Sequence, residues 1–399
     1  MTSRISSKER LLAAINHSNV DYPPFYQKFW QRGCLSNHSD GWKDQFERVK
    51  KTTRLGLEDT VGFSIPRAFS TEVKILRRKE MVPGESTAFL FQEYQTPKGT
   101  LKQIVRQTED WPHGDNIPIF NDYVVPRTRS KKYLIETVED VDAISCLFST
   151  PGTDQRRKFE DHANQVKQFA RQNNVLIESG ATFTSEWVDG DSIFLADALP
   201  WLCGVENALV LARKSPDLIH RLLDIILEWT SGCLEMISQV GGCDVIMHRA
   251  WYESFWSPNL YRTFLLPRLK REVDLVHRMG AKYCYIMCSS IMPYLDFFKE
   301  MGIDILYGVD PVQGGANLKE IKRAIGSKVC IWGGVNSAVT LTGDKLGVEN
   351  AVEQAVSALA PGGGFILGAI DQLFEDTRWE NFMAMMQTWR KLTSAPNAK

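Results

Sequence analysis

No stretch of this 399-residue chain reaches the roughly 18 uninterrupted apolar residues that a membrane-spanning helix needs. Its start, MTSRISSKERLLAAINH, lacks the long apolar core of a signal peptide. Charge of either sign is not in excess. The formal net charge is −1, so nothing in the balance favours nucleic acid or an anionic membrane as partner. The eight cysteines, at 34, 146, 203, 233, 243, 284, 288 and 330, form no CxxC pair and no tight framework. That spacing excludes a disulfide scaffold and fits free thiols in a reducing cytosol. Internal repeats and low-complexity tracts are missing as well. With 43% apolar and 24% charged residues, the composition is that of a folded cytoplasmic protein.

What is present is a rhythm. Ser6 and Glu9 form a capping box that opens a helix through Ala14. DYPPFYQKFW comes next as a short strand, WKDQFERVKKTTRLG as a helix and DTVGFS as a second strand. Residues 70–108 change character: TEVKILRR, STAFLFQEYQT and GTLKQIVRQ are β-rich runs separated by PGES and TPKGT turns. From 153 onward apolar strands alternate with helices: VLIESGATF, CDVIMHRAW, KYCYIMCSS, DILYGVDP, KVCIWGGVN and GFILGAID. Apolar rather than alternating strands mean a parallel sheet buried on both faces. Eight β/α units predict a single α/β domain over 1–399, a (β/α)8 TIM barrel with antiparallel hairpins inserted after strand two. A doubly wound open sheet is the other solution, disfavoured because no GxGxxG comes after the first strand.

Active sites of such barrels lie at the C-terminal ends of the strands, which turns the strands into a set of candidates. Trp30 lies just past strand one and Glu178 lies in strand three. Strand four ends in His248, Arg249, Trp251 and Glu253, strand five at Cys288, strand six at Asp310, strand seven at Asn336 and strand eight at Asp371. His248, Glu178 and Asp371 are the candidate catalytic groups, since a poised imidazole or carboxyl can move a proton. Arg249 suits an acidic substrate group, its planar fork binding a carboxylate bidentately. Trp30, Trp251 and Trp256 are candidate pocket walls, with Glu253, Cys288, Asp310 and Asn336 as further substrate contacts. A carboxylate inside an apolar strand needs a partner, for Glu178 either Arg249 or a metal. Asp310 precedes Pro311 and can equally cap the following turn. The paired glycines of IWGGVN permit a ligand to approach the backbone, whereas PGGGF at 361–365 reads as a helix end. His277 lies near a helix C-terminus and is left out of the site.

GAKYCYIMCSSIMPYLDFFKEMGIDILYGVDPVQGGANLKEIKRAIGSKVCIWGGVN resembles the C-terminal half of the uroporphyrinogen decarboxylase-like superfamily. SSKERLLAAINHSNVDYPP and EYQTPKGTLKQIV are similar to its opening helix and its hairpin insertion. The resemblance implies the barrel fold and either decarboxylation or cobamide-dependent methyl transfer. The decarboxylase proper carries an RQAGRY-like segment after strand one. Here that place reads YQKFWQRGC, and the last-strand loop reads GAIDQ without the decarboxylase's histidine. The thiol-activating methyltransferases hold zinc through His-x-Cys after strand five and a later Cys. Cys288 matches the first Cys, Ile286 stands in place of the His, and LGAIDQL has no Cys. That zinc triad is incomplete, no metal ligand is assigned, and a rearranged site using Glu178, His248 or Cys288 stays open.

The expected activity is that of a corrinoid-dependent methyltransferase, a demethylase for a small O-, N- or S-methylated substrate. The methyl acceptor is a corrinoid on a separate carrier protein. A carboxy-lyase acting on a carboxylated small molecule is the alternative, and a non-catalytic ligand-binding barrel a third reading.

Overall fold

The computed structural model describes residues 5–28, 42–65, 68, 70–111, 113–117, 119, 129–180, 195–250, 256–370, 373 and 377–394, the side chains of 196 and 249 excepted. Seven strands form one parallel sheet: β1 (Thr60–Phe63), β6 (Leu176–Gly180), β7 (Val245–Arg249), β8 (Lys282–Ile286), β9 (Ile305–Val309), β10 (Cys330–Val335) and β11 (Phe365–Ala369), neighbours in that order. A second sheet, antiparallel, holds β2 (Lys74–Met81), β3 (Ala88–Thr96), β4 (Gly99–Arg106) and β5 (Ser130–Lys132). The hairpins expected over 70–108 are its first three strands. β5 was not anticipated, being three residues long after a polar run.

The expected eight-stranded closed barrel is corrected to a curled seven-stranded sheet. The segment read as strand one, DYPPFYQ, makes only two isolated parallel bridges, Phe25 with Leu367 and Tyr26 with Glu58. Pro23 and Pro24 have no backbone N–H to give a ladder, so N–H donation to the sheet begins only beyond them. Tyr26 N donates to Leu367 O at 3.0 Å, Leu367 N to Pro24 O at 2.9 Å, and Glu58 N to Phe25 O at 3.0 Å. Gln27 adds a side-chain link: Ala369 N donates to its Oε1 at 2.7 Å. The segment thus touches both edge strands of the sheet without becoming a strand itself.

Side chains alternate across each strand, and the two faces have separate cores. Tyr26, Leu176, Val245, Met247, Cys284, Ile286, Ile305, Tyr307, Cys330, Trp332 and Ile366 face the inside of the curl. Leu11, Ala14 and Ile15 of the first helix, Ser7–Ile15, join that same cluster. The capping box read at Ser6 and Glu9 is present. Ile177, Ile246, Tyr283, Tyr285, Leu306, Ile331 and Leu367 face outward into the much larger layer shared with the helices.

The two glycines of IWGGVN serve packing. A Cβ on Gly333, where φ is +140°, would lie 3.0 Å from both Val309 N and Val309 O, and one on Gly334 would lie 2.8 Å from Ala355 Cβ. They let β10 close on β9 and on the helix Lys345–Leu359. PGGGF ends that helix and turns the chain into β11, as expected. Gly333→Ala should therefore cost roughly 1–3 kcal/mol, read as a lowered urea midpoint with unchanged slope.

Arg10 of the first helix donates to Glu58 Oε1 at 2.8 Å, and Phe25 N donates to Glu58 Oε2 at 2.8 Å. This carboxylate fixes the bridging segment. Burial pushes the Glu58 carboxyl up from 4.5 to about 7, more than Arg10 and the Phe25 N–H pull it down. The folded value lies above the unfolded one, so this contribution is fully present below the unfolded value and lost as pH rises through the folded one. Stability should fall between about pH 5 and about pH 8. In Glu58→Gln that part of the slope, followed by urea unfolding at both pH values, should disappear.

Candidate functional site

At the level where Tyr26 enters the curl, three rings stack: Tyr26 on Trp332 at 4.6 Å between centroids and Trp332 on Tyr307 at 4.0 Å. Trp332 Nε1 donates to Tyr26 O at 3.0 Å, so the indole has its polar partner and the stack is anchored. Two residues further toward the C-terminal ends of the strands, Lys28 places its ammonium 5.1 Å from the Tyr26 ring centroid and 5.4 Å from that of Trp332. Both distances are within cation–π range.

Glu178 meets this group from β6. Its Oε2 accepts from Lys28 Nζ, and its Oε1 accepts from Tyr26 Oη at 2.8 Å. Because the Tyr26 proton is committed to Glu178, the Thr60 hydroxyl, 2.6 Å from Tyr26 Oη, is the donor in that contact. Burial, then the nearby Glu178 charge, pushes the Tyr26 phenol well above its ordinary value, keeping it a neutral donor. Lys28 and Glu178 side chains are each only 2% exposed. An ion pair this dry persists only when both members are present, since either alone is an uncompensated buried charge. Among the described residues, the cation that partners Glu178 is Lys28. The missed signal was in plain view: a lysine interrupts the apolar run of DYPPFYQKFW as a glutamate interrupts VLIESG.

Asp310 and Asn336 are brought together at the ends of β9 and β10. Asn336 Nδ2 donates to Asp310 Oδ2 at 2.8 Å and to Gln313 Oε1 at 3.0 Å. Asp310 Oδ1 accepts from Val312 N at 2.8 Å, and Asn336 Oδ1 from Val339 N at 2.6 Å. These bonds set two loops at the rim. Cys288 is half-buried against the inner cluster. A Cβ on Gly308, where φ is +103°, would lie 2.9 Å from its Sγ, so that glycine makes room for the thiol.

His248 lies elsewhere than the sequence reading put it. Its neighbour Met247 faces the inside of the curl, so alternation turns His248 outward, toward the helix Leu266–Arg278. There Nδ1 lies 2.9 Å from Glu272 Oε1, which also accepts from Tyr283 Oη at 3.1 Å. The imidazole stacks on Tyr285 at 5.4 Å. Glu178 and His248 are thus on opposite faces of the sheet. Trp256, read as a pocket wall, packs at 6.0 Å against Phe264 in the helix layer. His277, left out of the site, pairs at 2.7 Å with Asp304, ahead of β9 at the other end of the strands. Trp30, Trp251, Glu253 and Asp371, and the side chain of Arg249, lie outside the described residues.

The family's zinc triad is incomplete in the sequence, and no metal ligand is expected from it. Ile286, in the histidine's place, is fully buried in the inner cluster. Among the described residues, no three His, Cys, Asp or Glu side chains gather closely enough to hold a metal ion.

The family model described as Uroporphyrinogen decarboxylase (URO-D) matches residues 201–392. No functionally curated protein matches the chain. Among solved structures, a methyltransferase from Methanosarcina mazei is similar over 97% of this chain and 99% of its own, with a TM-score of 0.59 at 16% identity. A B12-independent methionine synthase from a Shewanella species matches over 59% of this chain and 65% of its own, with a TM-score of 0.37 at 11% identity. A 3-keto-D-glucoside 4-epimerase from E. coli matches over 66% of this chain and 97% of its own, with a TM-score of 0.34 at 12% identity. Identity this low speaks for fold alone, and of these three the Methanosarcina likeness is close enough to do so. The match makes residues 201–392, just under half of the chain, similar to the uroporphyrinogen decarboxylase family.

Proposed function

We propose that this protein is a methyltransferase that takes a methyl group from a small O-, N- or S-methylated compound. The acceptor in this reading is a corrinoid on a separate carrier protein. One observation carries the proposal, the buried pair of Lys28 and Glu178 on the inner face of the curled sheet. The similarity to that family over residues 201–392 and the full-length fold likeness to a methyltransferase support it.

Loss of a methyl cation leaves an electron pair on the heteroatom, and in a dry site that charge must be met by a donor already in place. Lys28 can donate a proton or a charge-assisted hydrogen bond to that atom. Glu178 pairs with the ammonium and holds it on the faces of Tyr26 and Trp332. Tyr26 and Thr60, bonded in series behind Glu178, fix the carboxylate so that it does not follow the proton. The methyl group itself goes to the corrinoid, which supplies the nucleophilic chemistry. No step is assigned to zinc. His248, bonded to Glu272 in the helix layer, acts in this scheme through the backbone of β7 by holding the chain that leads to Arg249.

Incubating the protein with methoxylated, methylamine and methylthio compounds and cob(I)alamin should give methylcobalamin by absorbance. Lys28→Met and Glu178→Gln should each lower that rate by about a hundredfold or more. Release of CO2 from a carboxylated compound without any corrinoid would instead establish the decarboxylase reading.

A further inference from the structure

Lys28 has two relationships that together bear on which methyl donor the site takes. Its ammonium sits on the faces of Tyr26 and Trp332, at 5.1 and 5.4 Å. Aromatic faces arranged in this way are the common receptor for a quaternary ammonium ligand. Here they already carry the protein's own cation. Glu178, the carboxylate beside them among the described residues, is also committed, Oε1 to Tyr26 and Oε2 to Lys28. A trimethylammonium donor entering this level of the curl would meet a like charge a few ångströms away, with both Glu178 oxygens already engaged. Like charges in a dry site repel far more than in water.

For oxygen the balance reverses. An ammonium has three N–H donors. Among the described residues, only Glu178 accepts from Lys28, and the remaining N–H groups have ring faces in place of oxygen acceptors. An ether oxygen, and still more the oxyanion it becomes, is an acceptor suited to those groups. We propose that Lys28 is a specificity-determining residue that selects donors whose methyl group is bound to oxygen, an aromatic ether fitting best, and turns away quaternary ammonium donors. This rests on the methyltransferase reading and narrows it.

The step balances. The C–O bond breaks with its electron pair remaining on oxygen, and the methyl cation passes to the corrinoid in its reduced, nucleophilic state. The oxygen takes a proton from Lys28 Nζ. The resulting amine regains a proton from water after the alcohol leaves.

Binding tests this separately from turnover. Equilibrium dialysis of the full chain compares 4-nitrophenolate, shaped like the leaving group, with phenyltrimethylammonium, a cation of similar size. The wild type should bind the phenolate at least about tenfold more tightly. Lys28→Arg should keep that preference and Lys28→Met should lose it, with Lys28→Met/Glu178→Gln replacing the single variant if it fails to fold. Equal or tighter binding of the cation by wild type overturns the proposal. So does an undiminished phenolate preference without Lys28, or no binding of either probe up to its solubility. If the preference holds while no donor yields methylcobalamin, anion selection by Lys28 stands and the methyltransferase reading falls.

Discussion

A lysine and a glutamate, each about 2% exposed, cannot be kept in an apolar interior singly, and that requirement organises one side of the fold. Lys28 comes from a segment too proline-broken to be a strand, and Glu178 from β6, with β1 between them. Val61 and Phe63 of β1 face the outer layer, so Thr60 and Gly62 turn inward. Thr60 closes the hydrogen-bonded series through Tyr26, and Gly62 has no side chain to stand between the charges. The bridging segment is held at the same time by Arg10 with Glu58, by Gln27 with Ala369 and by Trp332 with Tyr26. Each contact that closes the gap in the sheet also fixes where Lys28 stands.

The same alternation that builds this interior removes a histidine from it. The strand-end rule selects residues by height along the strand and says nothing of which face they occupy. Met247 and His248 differ in height by one residue and lie on opposite faces of the sheet. Counting in twos from Glu178 through its register partner Val245 to Met247 was enough to send His248 outward. What the sequence reading lacked was the pairing register between β6 and β7, which is a long-range fact.

The legible parts were those decided locally. Apolar runs of about five residues between amphipathic stretches located β6 to β11, because burial on both faces leaves no polar alternative. The capping box at Ser6 located the first helix. Glu178 was legible as a carboxylate in need of a cation, and Asp310 as a turn cap. Its bond to Asn336 was not, since 26 residues and a helix separate them. Strand one is shorter than its β-propensity in FYQ suggests, because the two prolines before it withhold ladder donors and leave isolated bridges at Phe25 and Tyr26. Lys28 was passed over because the neighbouring Trp30 drew the assignment.

Cys288 shows how far a resemblance carries chemistry. It stands where relatives place a zinc ligand, and Gly308 leaves its sulfur room. Yet zinc needs further donor ligands beside a thiolate, and two residues earlier Ile286 contributes only hydrocarbon to the inner cluster. Among the described residues of this interior, the cation is Lys28 and its counter-charge Glu178, both supplied by the chain. In the proposed reaction, charge developing on a substrate is met by the Lys28 ammonium. A cationic proton donor discriminates by charge, favouring a leaving atom that departs as an anion over one that departs neutral.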